Sequence, residues 1–477
     1  MKDIFVIIMK AMKRFMIISF VGFCNLAFSQ SHINANIFGF STNTTFTFHD
    51  INDSIFRNKV DSLSPKVLRF PGGFGNFYHL SGIGYGVIEE EVVKYHKGKL
   101  PKRVNGIKSY EKRNNIKENY IEDFIVLASK IKAKVIVDAN IITSEPEETI
   151  RIIEKLQENN IEVIGVELGS ELSNRSYMHL IDGEKYIELA KNHAEVLKRY
   201  FPNLKLGAVA APVTRNQIRH DNWNKLLKDE DFYDAIIIHS YAKVTKGKDK
   251  YGKMENEISE GKTKKEAFSL YRDRIIKYFN YSYPDEIKKN NEIFSNKPIW
   301  ITEWNLQMSK ITGNTLFQAI YVTNFLLEIS VSEQLSNIEI MTFHNLAGRD
   351  VSGSVIENSN GKLKTHTTFL AMHLISEIFN DDELEISKRE LNNFCYIYTC
   401  VKNEDVKYYY IVNWSEDSQI INLKKSIEKS NIVEYYGSEL YYSTGEDQLH
   451  YSNNQVENLT KILIKPYSIT LIKSEDD

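Results

Sequence analysis

The sequence carries almost no excess of charge of either sign. Its 477 residues include 60 basic and 63 acidic side chains, which gives a formal net charge of −3. A basic excess is typical of proteins that bind nucleic acid or anionic membranes, so we predict neither partner. With 42% hydrophobic and 26% charged residues, the composition is that of a globular protein that can bury a large core.

Cysteine is also scarce, with three residues in the whole chain. Cys24 lies in the N-terminal segment, and Cys395 and Cys400 lie in the alternating segment FCYIYTC. Five residues along a strand span roughly 16 Å and put the two thiols on opposite faces. A disulfide needs Cα atoms within about 7 Å of each other. We therefore predict no bond between these two cysteines, so core burial must supply the stability.

Three kinds of functional motif are missing as well. No set of His, Asp and Cys shows the spacing of metal ligands. No strand–turn–helix segment has the form of a nucleophile elbow. No Gly-rich phosphate turn follows the first predicted strand. The sequence therefore predicts a protein that works without a cofactor or a metal ion.

The N-terminus has the features of an export signal. Three basic residues precede an apolar run over residues 15–28, which ends in the small-x-small cleavage pattern AFS. The run is too short to span a membrane comfortably. We predict a signal peptide over residues 1–29, a secreted or periplasmic protein, and no stable membrane insertion after cleavage. An uncleaved anchor is the alternative, and Met12 is an alternative start.

Eight strand-like segments alternate with amphipathic helical ones up to residue 380. They are ANIFGFS (35–41), KVLRFPGG (66–73), AKVIVDAN (133–140), IEVIGVELGSE (161–171), LKLGAVAAP (204–212), DAIIIHSY (234–241), KPIWITEWN (297–305) and NIEIMTFHN (337–345). Most are continuous apolar runs, as in parallel strands buried on both faces. This alternation predicts a (β/α)8 barrel over residues 30–380. An open doubly wound sheet, the alternative, would need the missing phosphate turn.

The pattern changes after residue 380. Short alternating runs rich in Tyr, Ile and Val fill residues 381–477 and are separated by turn signals. They predict an antiparallel β-sandwich that packs closely on the barrel, since no low-complexity linker precedes it. Two long connections, 75–119 and 242–296, leave the C-terminal rim of the barrel. Long connections in compact domains are often functional, so we expect both to wall a cleft.

Two of the predicted strands end in a glutamate. VELGSE closes the fourth strand with Glu171, and WITEWN closes the seventh with Glu303. Barrel enzymes do their chemistry at this end of the strands. Two carboxyl groups that face each other across a cleft suit glycosidic hydrolysis, with retention at a separation of about 5–5.5 Å and inversion at about 6.5–9.5 Å.

Alternation along the strands sorts the neighbours of these glutamates. Glu167 shares a face with Glu171 and is interpreted as a buried ion-pair partner of Arg69 or of another cation. His239 and Tyr241 share a face of the sixth strand, with His239 one layer deeper. His239 is assigned either to core hydrogen bonding or to the lining of the cleft.

The same argument applies to three other strands. Trp300 and Trp304 share the face opposite to Ile301 and Glu303, so they are interpreted as packing groups. On the third strand Asp138 and Asn140 share a face, with Asn140 nearer the rim. At the end of the eighth strand His344 and Asn345 are adjacent, so only one of the two can face the cleft.

The strings VLRFPGG, VELGSE, IHSY and WITEWN, in this order and on these strands, resemble those of the clan A retaining glycoside hydrolases. The heparanase and β-glucuronidase group and the α-L-arabinofuranosidase and β-xylosidase groups are the most similar. The resemblance implies a barrel with a C-terminal β-sandwich and a carbohydrate substrate. It also implies that Glu171 is the acid/base, that Glu303 is the nucleophile, and that Arg69 and Tyr241 lie beside Glu303.

One position departs from that resemblance. The family usually has Asn before the acid/base, where it donates to the 2-hydroxyl of the sugar, but here the residue is Ser170. Either a water bridges the gap, or the 2-position of the sugar differs, or the subsite is weaker. Asn140, Asn174 and Asn305 are candidates to supply the missing amide. We predict the substrate-binding residues Arg69, Ser170, Asn140, His239, Tyr241 and Asn174.

We therefore predict a retaining glycoside hydrolase that cleaves an O-glycosidic bond of a poly- or oligosaccharide. The alternatives are a non-catalytic glycan-binding protein on the same barrel and a metal-dependent barrel hydrolase. A basic run in the loop after the second strand is either a solvated face or a site for a carboxylate or sulfate. Its members are Lys94, Lys97, Lys99, Lys102 and Arg103.

Overall fold

The computed structural model describes residues 31–475 apart from 74, 84–85, 102–103, 107, 110–118, 216, 247–255, 308, 350–352, 360 and 446–447. Within these residues no helix combines the length and the apolar character needed to cross a membrane. The predicted signal peptide lies outside them, so export to the periplasm or the medium stays a prediction.

Eight parallel strands form a closed barrel, as the sequence predicts. The strands up to residue 365 are β1 (Ser31–His32), β2 (Gly39–Ser41), β3 (Val67–Phe70), β4 (Tyr78–Ile83), β5 (Lys134–Asp138), β6 (Val163–Leu168), β7 (Lys205–Val209), β8 (Ala235–Ala242), β9 (Ile299–Leu306), β10 (Ile338–Phe343), β11 (Asn345–Gly348), β12 (Ser354–Ser359) and β13 (Lys362–Thr365). The ring order is β10-β2-β3-β5-β6-β7-β8-β9. It closes where Thr342 of β10 pairs with Gly39 of β2.

Helices alternate with the barrel strands, as the sequence pattern predicts. They are α1 (Thr45–Phe48), α2 (Ser54–Leu63), α3 (Glu89–Tyr95), α4 (Ile121–Ile131), α5 (Pro146–Glu158), α6 (Gly183–Tyr200), α7 (Ile218–Leu227), α8 (Lys264–Lys277), α9 (Tyr283–Ile293), α10 (Leu316–Val331) and α11 (Thr367–Ile375). Several begin at a residue whose side chain accepts a hydrogen bond from the first turn, as Asp182 does for Lys185 N at the start of α6. Such caps satisfy backbone donors that the helix itself leaves unpaired.

Trp300 fills the lower part of the barrel interior. It belongs to a small buried apolar cluster that includes Val67, Ile136 and Ile237. Two glycines make room for it, because a Cβ atom would lie 2.5 Å from the ring at Gly165 and 2.7 Å from it at Gly207. The lower interior is therefore a closed apolar layer, and the polar groups of the barrel lie above it.

A β-bulge in β9 overturns the predicted alternation of this strand. On β8, Ile238 pairs with Ile301, but the next residue, His239, pairs with Glu303, so β9 has one extra residue at this point. Trp300 consequently points into the barrel, whereas Trp304 packs on the outside, with its ring 5.1 Å from that of Phe325. Both tryptophans are packing groups, as predicted, but they lie on opposite faces.

The C-terminal strands form one antiparallel sheet that curls over itself. It comprises β14 (Glu385–Asn392), β15 (Cys395–Lys402), β16 (Asp405–Asn413), β17 (Gln419–Gly437), β18 (Leu449–Ile464) and β19 (Ser468–Ser474), and β1 adds a seventh strand at the edge. The first half of β17 and the last half of β18 extend beyond β19. This ribbon covers a second apolar core, which supplies the two-layer packing expected of the predicted sandwich.

The two cysteines confirm the side-chain alternation predicted for β15. Cys395 lies in the core under the β17–β18 ribbon, and Cys400 lies in the core shared with the barrel. Both are free thiols, as predicted. Burial raises the pKa of each thiol to about 12, so neither ionises near neutral pH.

Both long connections contain regular structure, and the sequence analysis missed a third insertion. The connection after β3 contains β4 and α3, and the connection after β8 contains α8, a π-helical turn (Tyr278–Ser282) and α9. The third insertion follows β10, where β11, β12 and β13 form a small separate sheet. Its short strands give a weak alternating signal, which is why the sequence pattern did not reveal it.

A buried polar network joins the barrel to the C-terminal sheet. Asn324 of α10 accepts a hydrogen bond from Nε1 of Trp414 at 2.7 Å and donates one to the hydroxyl of Tyr398 at 2.7 Å. All three side chains are buried. Because α10 is covered by the barrel on one side and by the sheet on the other, the network fixes how the two parts pack.

We expect Asn324→Ala to lower the free energy of unfolding by about 1–3 kcal/mol, because the indole N–H of Trp414 loses its buried acceptor. Chemical denaturation followed by tryptophan fluorescence measures this change. Asn222→Ala, on the exposed face of α7, is the matched control and should change stability by less than about 0.5 kcal/mol. Equal stabilities of the two variants would contradict the role of the network.

Candidate active site

Glu171 and Glu303 face each other at the C-terminal end of the barrel. One carboxylate oxygen of each, together with a ring nitrogen of His239, lies within 4.8 Å of the other two atoms. The ring closure explains this proximity, because β6 and β9 lie on opposite sides of a narrow barrel whose ends converge on one space. The two glutamates singled out in the sequence are therefore neighbours.

Glu303 is held as a carboxylate by donors on both of its oxygens. Arg69 Nη1 donates to Oε1 at 3.0 Å, and the Tyr241 hydroxyl donates to Oε2 at 2.7 Å. His239 Nδ1 and His344 Nδ1 lie 3.6 and 3.4 Å from Oε2. Burial alone would raise the pKa of Glu303, but His239, His344 and Arg69 outweigh it and hold this pKa well below its usual range. Glu303 is thus ionised at neutral pH.

Arg69 is fully buried and binds three carboxyl groups at once. Besides Glu303, its guanidinium donates to both oxygens of Glu167, at 2.6 and 2.9 Å, and to Asp138 at 3.2 Å. Burial would lower the pKa of Arg69, but the charges of these carboxyl groups raise it well above its ordinary value. This geometry agrees with the interpretation of Glu167 as a buried ion-pair partner of Arg69.

Glu171 has a more open environment than Glu303. It lies just after β6, and its side chain is 42% exposed, compared with 11% for Glu303. Asn174 Nδ2 donates to its Oε2 at 2.8 Å, and His239 Nδ1 lies 3.0 Å from its Oε1. Its backbone has φ +53°, a left-handed conformation that non-glycine residues rarely adopt. The loop must therefore hold Glu171 in place.

His239 lies between the two glutamates. Burial would lower its pKa, but the charge of Glu303 and the hydrogen bond to Glu171 outweigh burial and raise it. Its other ring nitrogen, Nε2, lies 3.2 Å from the hydroxyl of Thr302, the residue that the bulge in β9 turns inward. His239 and Tyr241 thus share the face of β8 that lines the site, as predicted.

Ser170 belongs to the buried polar layer. Its hydroxyl accepts a hydrogen bond from Arg69 Nη2 at 2.9 Å. Asn76 holds its backbone on both sides: Oδ1 accepts from the Ser170 N–H at 2.8 Å, and Nδ2 donates to the Ser170 carbonyl at 2.7 Å. The short side chain is therefore engaged with Arg69, and Asn76 fixes the backbone immediately before Glu171.

Three asparagines were candidates to supply the amide that Ser170 lacks. Two of them, Asn140 and Asn305, form hydrogen bonds with other residues of the protein. Asn140 donates to the hydroxyl of Thr143 at 2.7 Å and accepts from backbone N–H groups of its own loop. Asn305 accepts from Gln318 at 3.0 Å, on the side of α10. β5 ends at Asp138, so the predicted alternation no longer applies at Asn140, and substrate binding by Asn140 stays a prediction. Asn174 alone meets a glutamate of the site.

The structure adds two residues that the predicted site did not include. His344 faces the site, with Nδ1 2.7 Å from the Tyr241 hydroxyl, whereas Asn345 turns away and donates to Ser354 at 3.1 Å. Asp138 joins the Arg69 cluster and is fully buried. Side-chain alternation had placed Asp138 on the same face of its strand as Asn140. It had not decided whether His344 or Asn345 faces the cleft.

The basic run predicted as a possible anion site is only partly described. Lys94, Lys97 and Lys99 are exposed on α3 and the turn that follows it. Lys102 and Arg103 lie outside the described residues. Within the described residues the exposed lysines fit a solvated face, and a role in binding a carboxylate or sulfate stays a prediction.

The geometry of Glu171, His239 and Glu303 could also hold a metal ion. The surrounding groups favour a proton instead. Both oxygens of Glu303 already accept hydrogen bonds from Arg69 and Tyr241, and the raised pKa of His239 favours its protonated form, which cannot ligate a metal. The electrostatics of the site therefore suit acid–base and nucleophilic chemistry by carboxyl groups.

A parallel barrel with two carboxylates at the ends of its fourth and seventh strands, followed by a curled antiparallel sheet, defines the architecture of this chain. No protein-family model matches the sequence, and a comparison with curated proteins gave no match. Solved structures do match. The thermostable GH51 α-L-arabinofuranosidase from Thermotoga petrophila RKU-1 superposes with a TM-score of 0.62 at 16% identity, over 94% of this chain and 98% of that chain.

Two further structures show the same likeness. The GH51 arabinofuranosidase from Xanthomonas axonopodis pv. citri has a TM-score of 0.64 at 12% identity, over 93% of this chain and 97% of that one. A 4-O-α-L-rhamnosyl-β-D-glucuronidase from Fusarium oxysporum 12S has a TM-score of 0.60 at 10% identity, with the same coverage of 93% and 97%. At these identities the comparison establishes the fold, which extends over both parts of the chain.

The buried carboxyl group of Asp138 should make stability depend on pH. Burial raises its pKa from 3.8 to about 8, an effect that Arg69 only partly offsets. Between these two values the folded state keeps a proton that the unfolded state releases, so stability falls as pH rises, at up to about 1.4 kcal/mol per pH unit. Asp138→Asn removes this carboxyl group, so the stability of this variant should fall less steeply between pH 5 and pH 8 than that of the wild type.

Thermal and urea unfolding of wild type and Asp138→Asn across that pH range test the expectation. Asp61→Asn, at an exposed position of α2, is the matched control and should keep the wild-type slope. Parallel stability curves for wild type and Asp138→Asn would mean that Asp138 is ionised in the fold.

Proposed function

We propose that this protein is a retaining glycoside hydrolase, with Glu303 as nucleophile and Glu171 as acid/base. The observation that supports this most is the approach of the two glutamates, with carboxylate oxygens within 4.8 Å. That spacing suits the retaining mechanism, in which the carboxyl groups lie about 5–5.5 Å apart, whereas inversion needs about 6.5–9.5 Å to admit a water. The fold shared with known glycoside hydrolases is consistent with the proposal.

The first step uses the different environments of the two carboxyl groups. The ionised Glu303 attacks the anomeric carbon and forms a glycosyl ester, while Glu171 gives its proton to the oxygen of the leaving group. Arg69 and Tyr241 hold Glu303 in its charged form and fix the direction of its oxygens. Glu171, more exposed and without a guanidinium partner among the described contacts, is placed to bind a proton between turnovers.

The second step releases the sugar. Glu171, now a carboxylate, takes a proton from water as the water oxygen attacks the anomeric carbon, and the ester bond to Glu303 breaks. His239 Nδ1 lies 3.0 Å from Glu171 Oε1 and 3.6 Å from Glu303 Oε2, so His239 interacts electrostatically with both carboxyl groups during the cycle. The raised pKa of His239 lets it balance negative charge whenever both glutamates are ionised.

The names of the structural neighbours suggest which sugars to test. Two of the similar structures are arabinofuranosidases, and a third is a 4-O-α-L-rhamnosyl-β-D-glucuronidase in complex with Rha-GlcA. We infer that aryl α-L-arabinofuranosides, β-D-xylosides and β-D-glucuronides are the first substrates to test. Sulfated and uronic-acid polysaccharides follow if these are inert.

A non-catalytic glycan-binding protein is the second candidate. Ser170 favours it, because a hydroxyl held by Arg69 supplies less to a sugar than the amide usual at this position in clan A enzymes. Such a protein would bind a glycan in calorimetry without releasing any aryl group. A metal-dependent hydrolase, the other alternative from the sequence analysis, would lose its activity on treatment with a chelator.

We expect Glu303→Gln to reduce kcat/KM on the best aryl glycoside by at least about 10⁴-fold, because the amide cannot form the ester. Glu171→Gln should lower kcat/KM by roughly 10²–10⁴-fold on glycosides with poor leaving groups. The loss of kcat/KM should be much smaller on dinitrophenyl glycosides, because their leaving group needs no proton. Steady-state kinetics with a leaving-group series measures both effects.

Glu188→Gln, on the exposed face of α6, is the matched control and should behave like wild type. Product stereochemistry, followed by NMR during hydrolysis, should show net retention of the anomeric configuration. Inversion, or full activity of Glu303→Gln, would rule out the assigned mechanism.

A further inference from the structure

The loop after β6 keeps Glu171 in an unfavourable backbone conformation. The Cβ atom of a non-glycine residue disfavours the left-handed region, so the surroundings must impose the observed φ of +53°. Within the loop the Asn174 N–H donates to the Glu171 carbonyl at 2.9 Å, which closes one turn. A single turn of this kind opens readily, so a further restraint is needed.

Arg219, the second residue of α7, supplies that restraint from the next βα unit. Its Nε donates to the Ser173 carbonyl at 2.9 Å, and its Nη2 donates to the Leu172 carbonyl at 3.0 Å and to the Ile181 carbonyl at 2.8 Å. Leu172 directly follows Glu171, and Ile181 lies near the other end of the loop. One guanidinium thus joins the beginning and the end of the segment that carries Glu171.

Arg219 is itself anchored to the barrel. Its guanidinium carbon lies 5.3 Å from the centre of the Trp223 ring, one turn along α7. The indole N–H of Trp223 donates to the Val209 carbonyl at the end of β7, at 2.8 Å. Trp223 is buried, at 2% exposure. A continuous set of contacts therefore runs from β7 through Trp223 and Arg219 to the loop after β6.

We propose that Arg219 is a positioning residue for Glu171: it fixes the loop after β6 so that the carboxyl group stays between Asn174 and His239. The proposal rests on the proposed function, in which Glu171 gives and takes the proton. Arg219 contacts the loop backbone, and its effect on the reaction passes through Glu171. Arginine suits this task better than lysine, because its rigid fork can donate to several carbonyls at once.

A loss of positioning should affect proton transfer far more than nucleophilic attack. In Arg219→Ala we expect kcat/KM on phenyl glycosides of the sugar that wild type turns over to fall by roughly 10–100-fold, a large part of what a general acid contributes. On the dinitrophenyl glycoside of the same sugar the loss should stay below about threefold. Arg219→Lys keeps the charge without the fork and should fall between wild type and Arg219→Ala.

Hydrogen exchange measured by mass spectrometry provides a readout that needs no activity. Peptides that cover residues 170–182 should exchange at least about tenfold faster in Arg219→Ala than in wild type, while β7 and β9 stay protected. Arg199→Ala, at an exposed position of α6, is the matched control and should change neither exchange nor kinetics. Arg219→Lys also serves as the conservative variant if Arg219→Ala does not fold.

The outcomes separate the two proposals. If wild type turns over no aryl glycoside, the proposed function fails, and the exchange of residues 170–182 still decides whether Arg219 fixes the loop. Unchanged exchange in Arg219→Ala overturns the role of Arg219 whatever the activity. An equal loss on phenyl and dinitrophenyl substrates also overturns it, because a general structural defect would slow both steps.

Discussion

The guanidinium of Arg69 is the group on which the rest of the site depends. It lies at the bottom of the polar layer, fully buried, and meets Glu167, Asp138 and Glu303. Three carboxyl groups this close could not all ionise without a cation between them, since each buried charge without a partner costs several kcal/mol. Arg69 forms ion pairs with Glu167 and Glu303, and burial raises the pKa of the third, Asp138, to about 8, so that Asp138 keeps its proton near neutral pH. The charged state of Glu303 thus depends on the buried Arg69 together with His239 and His344, which line the site.

The two glutamates differ because the strands that carry them end differently. β9 continues past Glu303 to Leu306, so Glu303 lies inside a strand, and the bulge turns it inward beside Thr302. β6 ends at Leu168, three residues before Glu171, so Glu171 sits on a loop that is open to solvent. One carboxyl group is therefore surrounded by fixed donors, while the other stays accessible to proton exchange. This division arises from backbone geometry as much as from the choice of side chains.

Strand order and the positions of the two glutamates could be predicted because both follow from local patterns. Continuous apolar runs indicated the eight strands, and alternation placed Glu167, His239 and Tyr241 on the inward faces. Alternation failed where the strand ended or acquired an extra residue. Asn140 lies beyond the end of β5 and turns into its own loop, and the bulge in β9 separates Trp300 from Trp304. Neither event leaves a mark in a single sequence, because both depend on pairing with neighbouring strands.

The layered interior explains why the polar cluster can be buried at all. Below it, Trp300 fills the space that Gly165 and Gly207 leave open, so the cluster lies on an apolar layer on that side. Above it, Ser170 and Asn76 close the layer, and the short serine lets Arg69 donate to its hydroxyl. In this chain the short serine is therefore part of the buried arginine cluster, and its hydroxyl adds a fourth acceptor side chain to those that Arg69 binds.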